Sequence, residues 1–341
     1  MYTDFYGLTE RPFQLTPDAR FWFESRTHKK AMAYLGYGLA QGEGFVTITG
    51  DIGAGKSTLV AHLLATIDRE RLNALHIAST QVGGDDLLRL VAQGLGIGTA
   101  GTEKARLLDA VEHRLGEEAR RGRRTLILVD EAQNLSTAAL EELRMLSNFT
   151  VQGRALVQIL LLGQPEFRDR IAAEPGLEQL RQRVIASHHL EPIEANEVEP
   201  YLVHRLACAG WQGRPSFAPG AFATLYRHSG GVPRRLNKLA NRLLLQGAVE
   251  QAEGFDADDV ERVVADLDAD APQVSATPRA VPALAEPAPA QSSVRDLALE
   301  RRVAALEARM DEQEAIVRRV LTLLIEWVEN GQQAPGYTNA A

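Results

Sequence analysis

The sequence has very little cysteine and no excess of positive charge. Cys208 is the one cysteine among 341 residues, so an intramolecular disulfide or a paired-cysteine metal site is not available to the chain. We expect Cys208 to be a small buried apolar residue. Acidic residues outnumber basic residues by 45 to 37, which gives a net charge of −8. A uniformly basic nucleic-acid-binding surface is therefore not expected.

Long apolar runs are also missing. No segment approaches the roughly 20 apolar residues that a bilayer span needs. The opening stretch "MYTDFYGLTERPF" lacks the basic region and the apolar run of a secretory signal. We therefore expect no membrane span and a cytoplasmic location, with peripheral attachment to the inner membrane through a partner as the alternative.

The chain has an ordinary globular composition, with 45% hydrophobic residues, and it is long enough for two domains. After a lead-in over residues 1–43, strand and helix patterns alternate over residues 44–191. The runs "GFVTITG", "ALHIAS", "RTLILVD" and "ALVQILLLG" predict strands, and the last two are continuously apolar, as in strands covered on both faces. This alternation predicts an α/β domain with a parallel sheet and right-handed crossovers.

The pattern changes after that domain. Residues 192–268 carry helical patterns alone and predict a small helical lid domain. Residues 269–293 are rich in Pro and Ala and predict a disordered linker. Residues 294–330 predict a coiled coil that pairs subunits or a partner, and a lone amphipathic helix docked on the preceding domains is the alternative. Its seam would consist of Leu299, Val303, Leu306, Met310, Gln313, Val317, Val320, Leu324 and Trp327.

A glycine-rich loop follows the first predicted strand. The stretch "GDIGAGKST" fits the pattern G-x-x-x-x-G-K-[ST], in which glycines allow backbone N–H groups to surround a phosphate at a helix N-terminus. Lys56 would reach the β- and γ-phosphates, and the Ser57 hydroxyl would ligate Mg²⁺. The loop predicts ATP and Mg²⁺ as ligands. The predicted binding residues are Gly50, Asp51, Ile52, Gly53, Ala54, Gly55, Lys56, Ser57 and Thr58.

Two carboxylates end the strand "RTLILVD" and begin "DEAQ". Asp130 is placed to hold Mg²⁺, and Glu131 is placed to polarise an attacking water. A solvated strand end is the alternative, but two adjacent carboxylates at a buried strand end are costly without a cation. "DEAQ" also occurs in helicases, although the other helicase motifs are not found. The pair predicts hydrolysis in addition to binding.

Polar residues farther along the chain could complete the site. Gln164 ends the strand in "ILLLGQPE" and could sense the γ-phosphate or the water, or it could simply be a turn residue before Pro165. Arg181 or Arg183 could reach the γ-phosphate of a neighbouring subunit, and an exposed cationic helix face is the alternative. Arg234 would point at the nucleotide across a domain cleft.

Taken together, these motifs resemble the AAA+ ATPases of the ExeA/GspA general secretion family, and among them the ATPases associated with exosortase (XrtA)/PEP-CTERM systems. The resemblance covers about residues 1–268. It rests on "FYGLTERPFQLTPDARFWF", "GEGFVTITGDIGAGKSTL", "LILVDEAQNLS", "LRMLSNF", "LLGQPEF", "LRQRV" and "GGVPRRLNKLAN".

The resemblance implies a P-loop NTPase (AAA+) fold and an ATPase that powers or regulates the assembly or export of envelope components. It also implies self-association and a partner from a secretion, polysaccharide or exosortase system. Arg234 falls at the sensor-2 position, Gln164 at sensor 1, and Arg183 or Arg181 at the arginine finger. Phe13 would lie near the adenine. Some members carry a membrane span and a peptidoglycan-binding module after the ATPase, whereas this sequence has a linker and a heptad helix.

Two other functions compete with this hypothesis. Relatives of the family include transposition-targeting ATPases, so an ATP-dependent DNA-binding adaptor is the alternative, with nucleic acid as its partner. A small-molecule kinase is a third reading, but a lid arginine together with finger arginines is not typical of such an enzyme.

Overall fold

The computed structural model describes residues 2–78 and 83–270. The predicted coiled coil over 294–330 lies outside the described residues, and so does the predicted linker beyond Asp270. The last described helix continues through Asp270, a residue that the sequence pattern assigned to the linker.

Within the described residues, five parallel strands form the central sheet, in the order β2-β3-β6-β1-β7. The inner strand β1 (Phe45–Gly50) lies between β6 and β7 and pairs with both, so that Ile48 lies opposite both Leu162 and His188. This arrangement confirms the predicted parallel α/β fold and places the glycine-rich loop at the carboxyl end of an inner strand. The strands are β1 (Phe45–Gly50), β2 (Leu72–Ala78), β3 (Arg124–Asp130), β4 (Thr150–Val151), β5 (Arg154–Ala155), β6 (Val157–Gly163), β7 (Val184–Leu190), β8 (Ser216–Phe217) and β9 (Gly254–Phe255).

Helices cover both faces of the sheet. Successive residues of β3 point to opposite faces, so Ile127 belongs to a core with the α4, α5 and α6 helices, and Leu128 to a core with α2 and α3. These helices are α2 (Arg26–Gln41), α3 (Lys56–Thr66), α4 (Gly84–Gly94), α5 (Lys104–Arg120), α6 (Thr137–Leu146), α7 (Pro165–Ala173) and α8 (Glu178–Arg181). The short first helix, α1 (Tyr2–Tyr6), packs in a separate helical core. The continuous apolar character of β3 thus reflects burial on two faces.

The remaining helices build a second core. They are α9 (Val198–Cys208), α10 (Pro219–Ser229), α11 (Pro233–Glu250) and α12 (Ala257–Asp270). Four lead-in residues, Tyr2, Tyr6, Leu8 and Phe13, are buried in this helical core. The Tyr2 hydroxyl donates a hydrogen bond of 2.8 Å to Asn241 of α11. The start of the chain therefore packs with the helical part and is remote from the sheet core.

The expectation that Cys208 is buried is wrong, because this side chain is exposed. The buried side chains of α9 fall at Val198, Tyr201, Leu202, Arg205 and Leu206, which is the spacing of one helix face. Position 208 lies outside that stripe. Periodicity within the helix, rather than the intrinsic preference of cysteine, decides its exposure.

Across residues 2–78 and 83–270, we find no helix with the length and apolar character that a membrane crossing needs.

Candidate nucleotide-binding site

The glycine-rich loop between β1 and α3 can be built only with glycine at two of its positions. Gly53 and Gly55 have φ values of 86° and 103°, in the left-handed region. A Cβ atom on Gly53 would lie 2.4 Å from the Cβ of Arg234, and one on Gly55 would lie 2.6 Å from Nε2 of His28. The loop therefore packs tightly against the second helical core on one side and α2 on the other.

The lysine at the start of α3 is held by the loop itself. Lys56 is buried, and its Nζ donates to the carbonyl oxygens of Gly50 at 2.6 Å and Asp51 at 3.0 Å. An ammonium group has three protons, so one donor remains for a ligand. Burial lowers the pKa of Lys56, and the carboxylates of Glu131 and Asp130 act against that shift. A bound anion would have the same opposing effect.

A hydroxyl and a carboxylate meet beside the lysine. Ser57 Oγ donates to Asp130 Oδ2 at 3.1 Å, and Asp130 Oδ1 accepts the main-chain N–H of Glu131 at 2.9 Å. These residues are 73 positions apart in the sequence and meet because α3 begins beside the end of β3. A hydroxyl and a carboxylate are oxygen donors of the kind that Mg²⁺ prefers, so this pair fits a magnesium ion carried in with a phosphate.

The second carboxylate lies in a constrained turn. Glu131 has φ 52° and ψ 43°, a left-handed conformation that is uncommon for a residue with a side chain. Its Oε2 accepts from Nε2 of Gln164 at 3.4 Å and also from Nε2 of Gln133. The sequence analysis selected Glu131 and Gln164 but not Gln133. The only sequence feature that could have indicated a contact between Gln133 and Glu131 is their separation of two residues.

The loop opens on a cleft of about 320 Å³, the size of a small ligand site. The α/β side contributes the glycine-rich loop and Glu131. The opposite wall contains lead-in residues and residues from the α9 and α11 helices. The wall residues outside the loop are Gln14, Leu15, Thr16, Pro17, Asp18, Phe21, Trp22, Phe23, His28, Glu131, Ile193, Tyr201, Arg205, Pro233, Arg234 and Asn237.

Arg234 lies on this wall, at the N-terminus of α11. Its main-chain N–H donates to the Gly53 carbonyl at 3.2 Å. The side chain is exposed to the cleft. Arg235 is also exposed but does not line the cleft. The helical core and the loop are thus in direct main-chain contact next to the predicted phosphate site.

Three of the predicted residues lie elsewhere. Phe13 is 3% exposed and packs in the helical core, so the structure does not place it on the cleft wall. Its large apolar side chain is better accommodated there, and the following residues Gln14–Asp18 line the cleft instead. Arg183 donates to Ser147 Oγ at 3.1 Å, and Arg181 donates to the Ala172 carbonyl and to Glu178. Neither arginine lines the cleft of its own chain.

The far wall contains a hydrogen-bonded chain that sequence reasoning missed. Arg205 Nε donates to the Pro12 carbonyl at 2.8 Å, and the guanidinium lies 4.9 Å from the centre of the Phe21 ring. Arg205 also contacts the Tyr201 hydroxyl at 3.5 Å, and that hydroxyl donates to Asn237 Oδ1 at 2.8 Å. Burial raises the pKa of Tyr201, so the phenol remains a donor.

A histidine supports the loop from behind. Ser25 caps α2 by accepting the His28 N–H, and its Oγ lies 2.6 Å from His28 Nδ1. The ring also hydrogen-bonds the backbone of Ala54, through Nε2, the nitrogen that faces the loop. Burial lowers the pKa of His28 to about 4, so the ring is neutral at neutral pH. Nδ1 then accepts the serine proton while Nε2 donates to the loop.

The sheet order, the glycine-rich loop after β1 and the carboxylates after β3 define the class: this is the parallel-sheet α/β P-loop fold of AAA+ proteins. Residues 39–171 match the family model described as an AAA domain. The matched segment begins in α2 and ends in α7, so it contains the loop, both carboxylates and Gln164.

The chain is similar to General secretion pathway protein A of Aeromonas hydrophila, with 38% identity over 246 residues. The alignment covers 72% of this chain but only 44% of that protein, so the chain spans less than half of its relative's length. The fold is also similar to those of two solved structures. ORC2 of Aeropyrum pernix, in ADPNP-ADP complexes, matches with a TM-score of 0.56 and 15% identity, covering 75% of this chain and 71% of that one. Cdc6p of Pyrobaculum aerophilum matches with a TM-score of 0.58 and 13% identity, covering 75% and 70%.

Proposed function

We propose that this chain is an ATPase that binds ATP with Mg²⁺ in the cleft between the sheet domain and the helical core, and hydrolyses it to ADP and phosphate. The observation that carries the proposal is that Lys56, Ser57 and Glu131 line one end of that cleft, where Ser57 also donates a hydrogen bond to Asp130. All four residues are held by hydrogen bonds to each other or to the glycine-rich loop, Glu131 through its main-chain N–H.

The phosphate groups would lie on the glycine-rich loop. Its main-chain N–H groups and the free proton of Lys56 supply positive charge at the N-terminus of α3. Ser57 and Asp130 would hold the magnesium ion. When bound, that ion neutralises phosphate charge and stabilises the charge of the transition state. The close approach of Arg234 to Gly53 and of His28 to Gly55 leaves no room for a side chain at either loop position.

Glu131 would accept a proton from the attacking water. Its carboxylate lies on the cleft wall and is restrained by amide donors on Oε2, which leaves Oε1 available to a water. Gln164, at the end of β6, would contact the γ-phosphate or the same water. Both residues are near enough to act together, since their side chains are in hydrogen-bond contact.

Arg234 would couple nucleotide state to the position of the helical core. It begins α11, and its backbone already contacts Gly53. A guanidinium that pairs with the γ-phosphate loses that partner after hydrolysis, so the helical core would change its angle to the sheet. Arg181 and Arg183 are remote from their own cleft, which suits a role at the site of a neighbouring subunit. We infer that activity depends on self-association.

The pathway that we propose follows the relative that matches over most of the described residues. General secretion pathway protein A is a secretion protein by name, and this chain resembles it over 246 residues. We propose that the ATPase energises or regulates the export or assembly of envelope components, with a partner from such a system, and that it is cytoplasmic or attached peripherally to the inner membrane. An exosortase/PEP-CTERM system is the more specific form of this proposal.

The test is ATP turnover per subunit at increasing protein concentration, for the wild type and for Glu131→Gln. We expect turnover that rises with concentration and falls at least about 100-fold in the variant, because the general base is lost while nucleotide binding is kept. Binding of a fluorescent ATP analogue serves as the control for both proteins. Turnover that is flat with concentration would contradict the shared site, and full activity of Glu131→Gln would contradict hydrolysis at this glutamate.

A further inference from the structure

A glutamine outside the predicted site connects two residues within it. Gln133 lies in a short 3-10 turn, Ala132–Asn134, that follows Glu131 directly. Its Nε2 donates to Glu131 Oε2, and its Oε1 accepts the main-chain N–H of Gln164 at 3.1 Å. One side chain thus bridges the end of β3 and the end of β6, residues 33 positions apart.

The orientation of the Gln133 amide follows from its partners. A backbone N–H can only donate, so the atom facing Gln164 must be the oxygen. The amide nitrogen is then directed to the Glu131 carboxylate. An ionised carboxylate has no proton to donate, so it can only accept a hydrogen bond. Both contacts agree with a single amide orientation, and a flipped amide would lose both.

The backbone around the glutamate is restrained as well. Glu131 has a left-handed conformation, and its carbonyl accepts the Asn134 N–H at 2.9 Å, which closes the turn. Ala132, between Glu131 and Gln133, is fully buried. With the backbone fixed by this turn, the direction of the Glu131 carboxylate depends on the amides that reach Oε2. Gln133 belongs to the same turn and is the nearer of the two donors.

We propose that Gln133 is a positioning residue that makes Glu131 and Gln164 act as one unit in ATP hydrolysis, an inference that rests on the proposed function. Gln133 does not itself line the nucleotide cleft. Its side chain directs the carboxylate by a hydrogen bond and fixes the first residue after β6 by another. Movement of the end of β6 would therefore be transmitted to the glutamate that activates water.

The test replaces Gln133 with Met, which keeps the length of the side chain and removes both hydrogen bonds. We expect kcat for ATP to fall roughly 10-fold or more, because a small misplacement of a catalytic group strongly reduces rate. KM and the affinity for an ATP analogue should change less than about 2-fold, because phosphate contacts are kept. Asn134→Ala, an exposed position in the same turn, is the matched control and should keep wild-type kcat.

A double-mutant cycle tests the coupling. Gln133→Met combined with Gln164→Met should lose less kcat than the product of the two single losses, because each variant removes one amide donor from the same Glu131 oxygen while the main-chain N–H of Gln164 is kept. Losses that multiply would overturn the inference. Gln133→Glu is a second variant of nearly the same size, and its charge beside Glu131 should lower kcat at least as far as methionine does. Thermal melting confirms that each variant is folded.

Glu131→Gln is measured in parallel so that two failures can be distinguished. If Glu131→Gln is inactive while Gln133→Met and Gln133→Glu both keep wild-type kcat, the positioning role is wrong and the proposed function stands. If Glu131→Gln keeps wild-type turnover, the proposal that Glu131 activates water for hydrolysis is wrong, and the proposed role of Gln133 is wrong with it.

Discussion

The two ends of the cleft are built in different ways. The end that we assign to phosphate consists of the glycine-rich loop after β1 and the two carboxylates at the end of β3, so its groups are fixed to the central sheet. The opposite end combines the lead-in with α9 and α11, and it is held by side chains far apart in the sequence, such as Arg205 and the carbonyl of Pro12. We infer that the first end supplies chemistry and that the second supplies a movable wall.

The contrast extends to the links between the two ends. Arg234 contacts Gly53 from the helical side, and His28 contacts the same loop from α2. A shift of the helical core would reach the loop through Arg234, whereas His28 supports the loop from the sheet side. Variants at the phosphate end should therefore reduce ATP binding, whereas variants at the opposite end should affect the coupling between the nucleotide and the helical core.

The largest effect is expected at the phosphate end. Lys56→Ala removes the buried ammonium and its contacts to the loop carbonyls, so we expect ATP affinity to fall at least about 100-fold, or roughly 3 kcal/mol. Titration with a fluorescent ATP analogue measures the affinity. Lys238→Ala, an exposed lysine of α11 that does not line the cleft, is the matched control. Wild-type affinity in Lys56→Ala would contradict the assignment of this end to phosphate.

At the opposite end, the expected effect is on stability. Arg205→Leu leaves the Pro12 carbonyl without its donor and removes the cation over the Phe21 ring, so we expect a loss of roughly 2–4 kcal/mol in the free energy of unfolding. Denaturant titration measures it. The exposed Arg235 is the matched control, and Arg235→Leu should change stability by less than about 0.5 kcal/mol.

The same contrast explains which residues could be predicted from the sequence. Residues 50–58 are contiguous, and Asp130 and Glu131 end a strand with an evident apolar pattern, so local reading was enough to select them. Arg205 reads as an ordinary helical arginine, because its burial depends on Pro12 and Phe21, far away in the chain.

Other differences have the same origin. The place of Phe13 near the adenine stays a prediction, whereas the ring itself packs in the helical core, where long-range packing rather than the surrounding motif decides its burial. The exposure of Cys208 follows from the position of the buried face of α9. The parallel sheet was predictable because strand–helix alternation and the handedness of crossovers leave few topologies. The Gln133 bridge was not, because it depends on a left-handed turn.

A smaller effect is expected at the histidine behind the loop, and it depends on pH. The pKa of His28 is about 4 in the folded chain and near 6.5 when exposed. Between these values the unfolded chain binds a proton that the folded chain does not, so stability decreases as the pH falls from 6.5 to 4, by about 3 kcal/mol at most. His28→Gln should remove most of this loss, because glutamine does not titrate. His188 faces His28 and has a lowered pKa from burial, so it adds to the acid sensitivity that remains.

The measurement is urea unfolding of the wild type and His28→Gln at several pH values from 4 to 7. Trp22 lies edge-on to the His28 ring at 5.0 Å and provides a fluorescence signal next to the changed residue. His113→Gln, at an exposed position of α5, is the matched control and should follow the wild-type curve. An identical pH dependence in His28→Gln would show that His28 is not the group whose protonation destabilises the fold.

The smallest effect is expected at Cys208. Its thiol is exposed, and its Sγ lies 3.4 Å from the carbonyl oxygen of Arg20, a contact that a serine hydroxyl can replace. Cys208→Ser should therefore change the free energy of unfolding by less than about 0.5 kcal/mol and leave ATP binding unchanged. Because α9 also carries Tyr201 and Arg205 on its buried face, this variant tests one helix on two sides. A loss of stability comparable to that of Arg205→Leu would show that the lead-in depends on contacts along the whole of α9. The exposed face of α9 would then belong to the wall of the cleft as much as its buried face does.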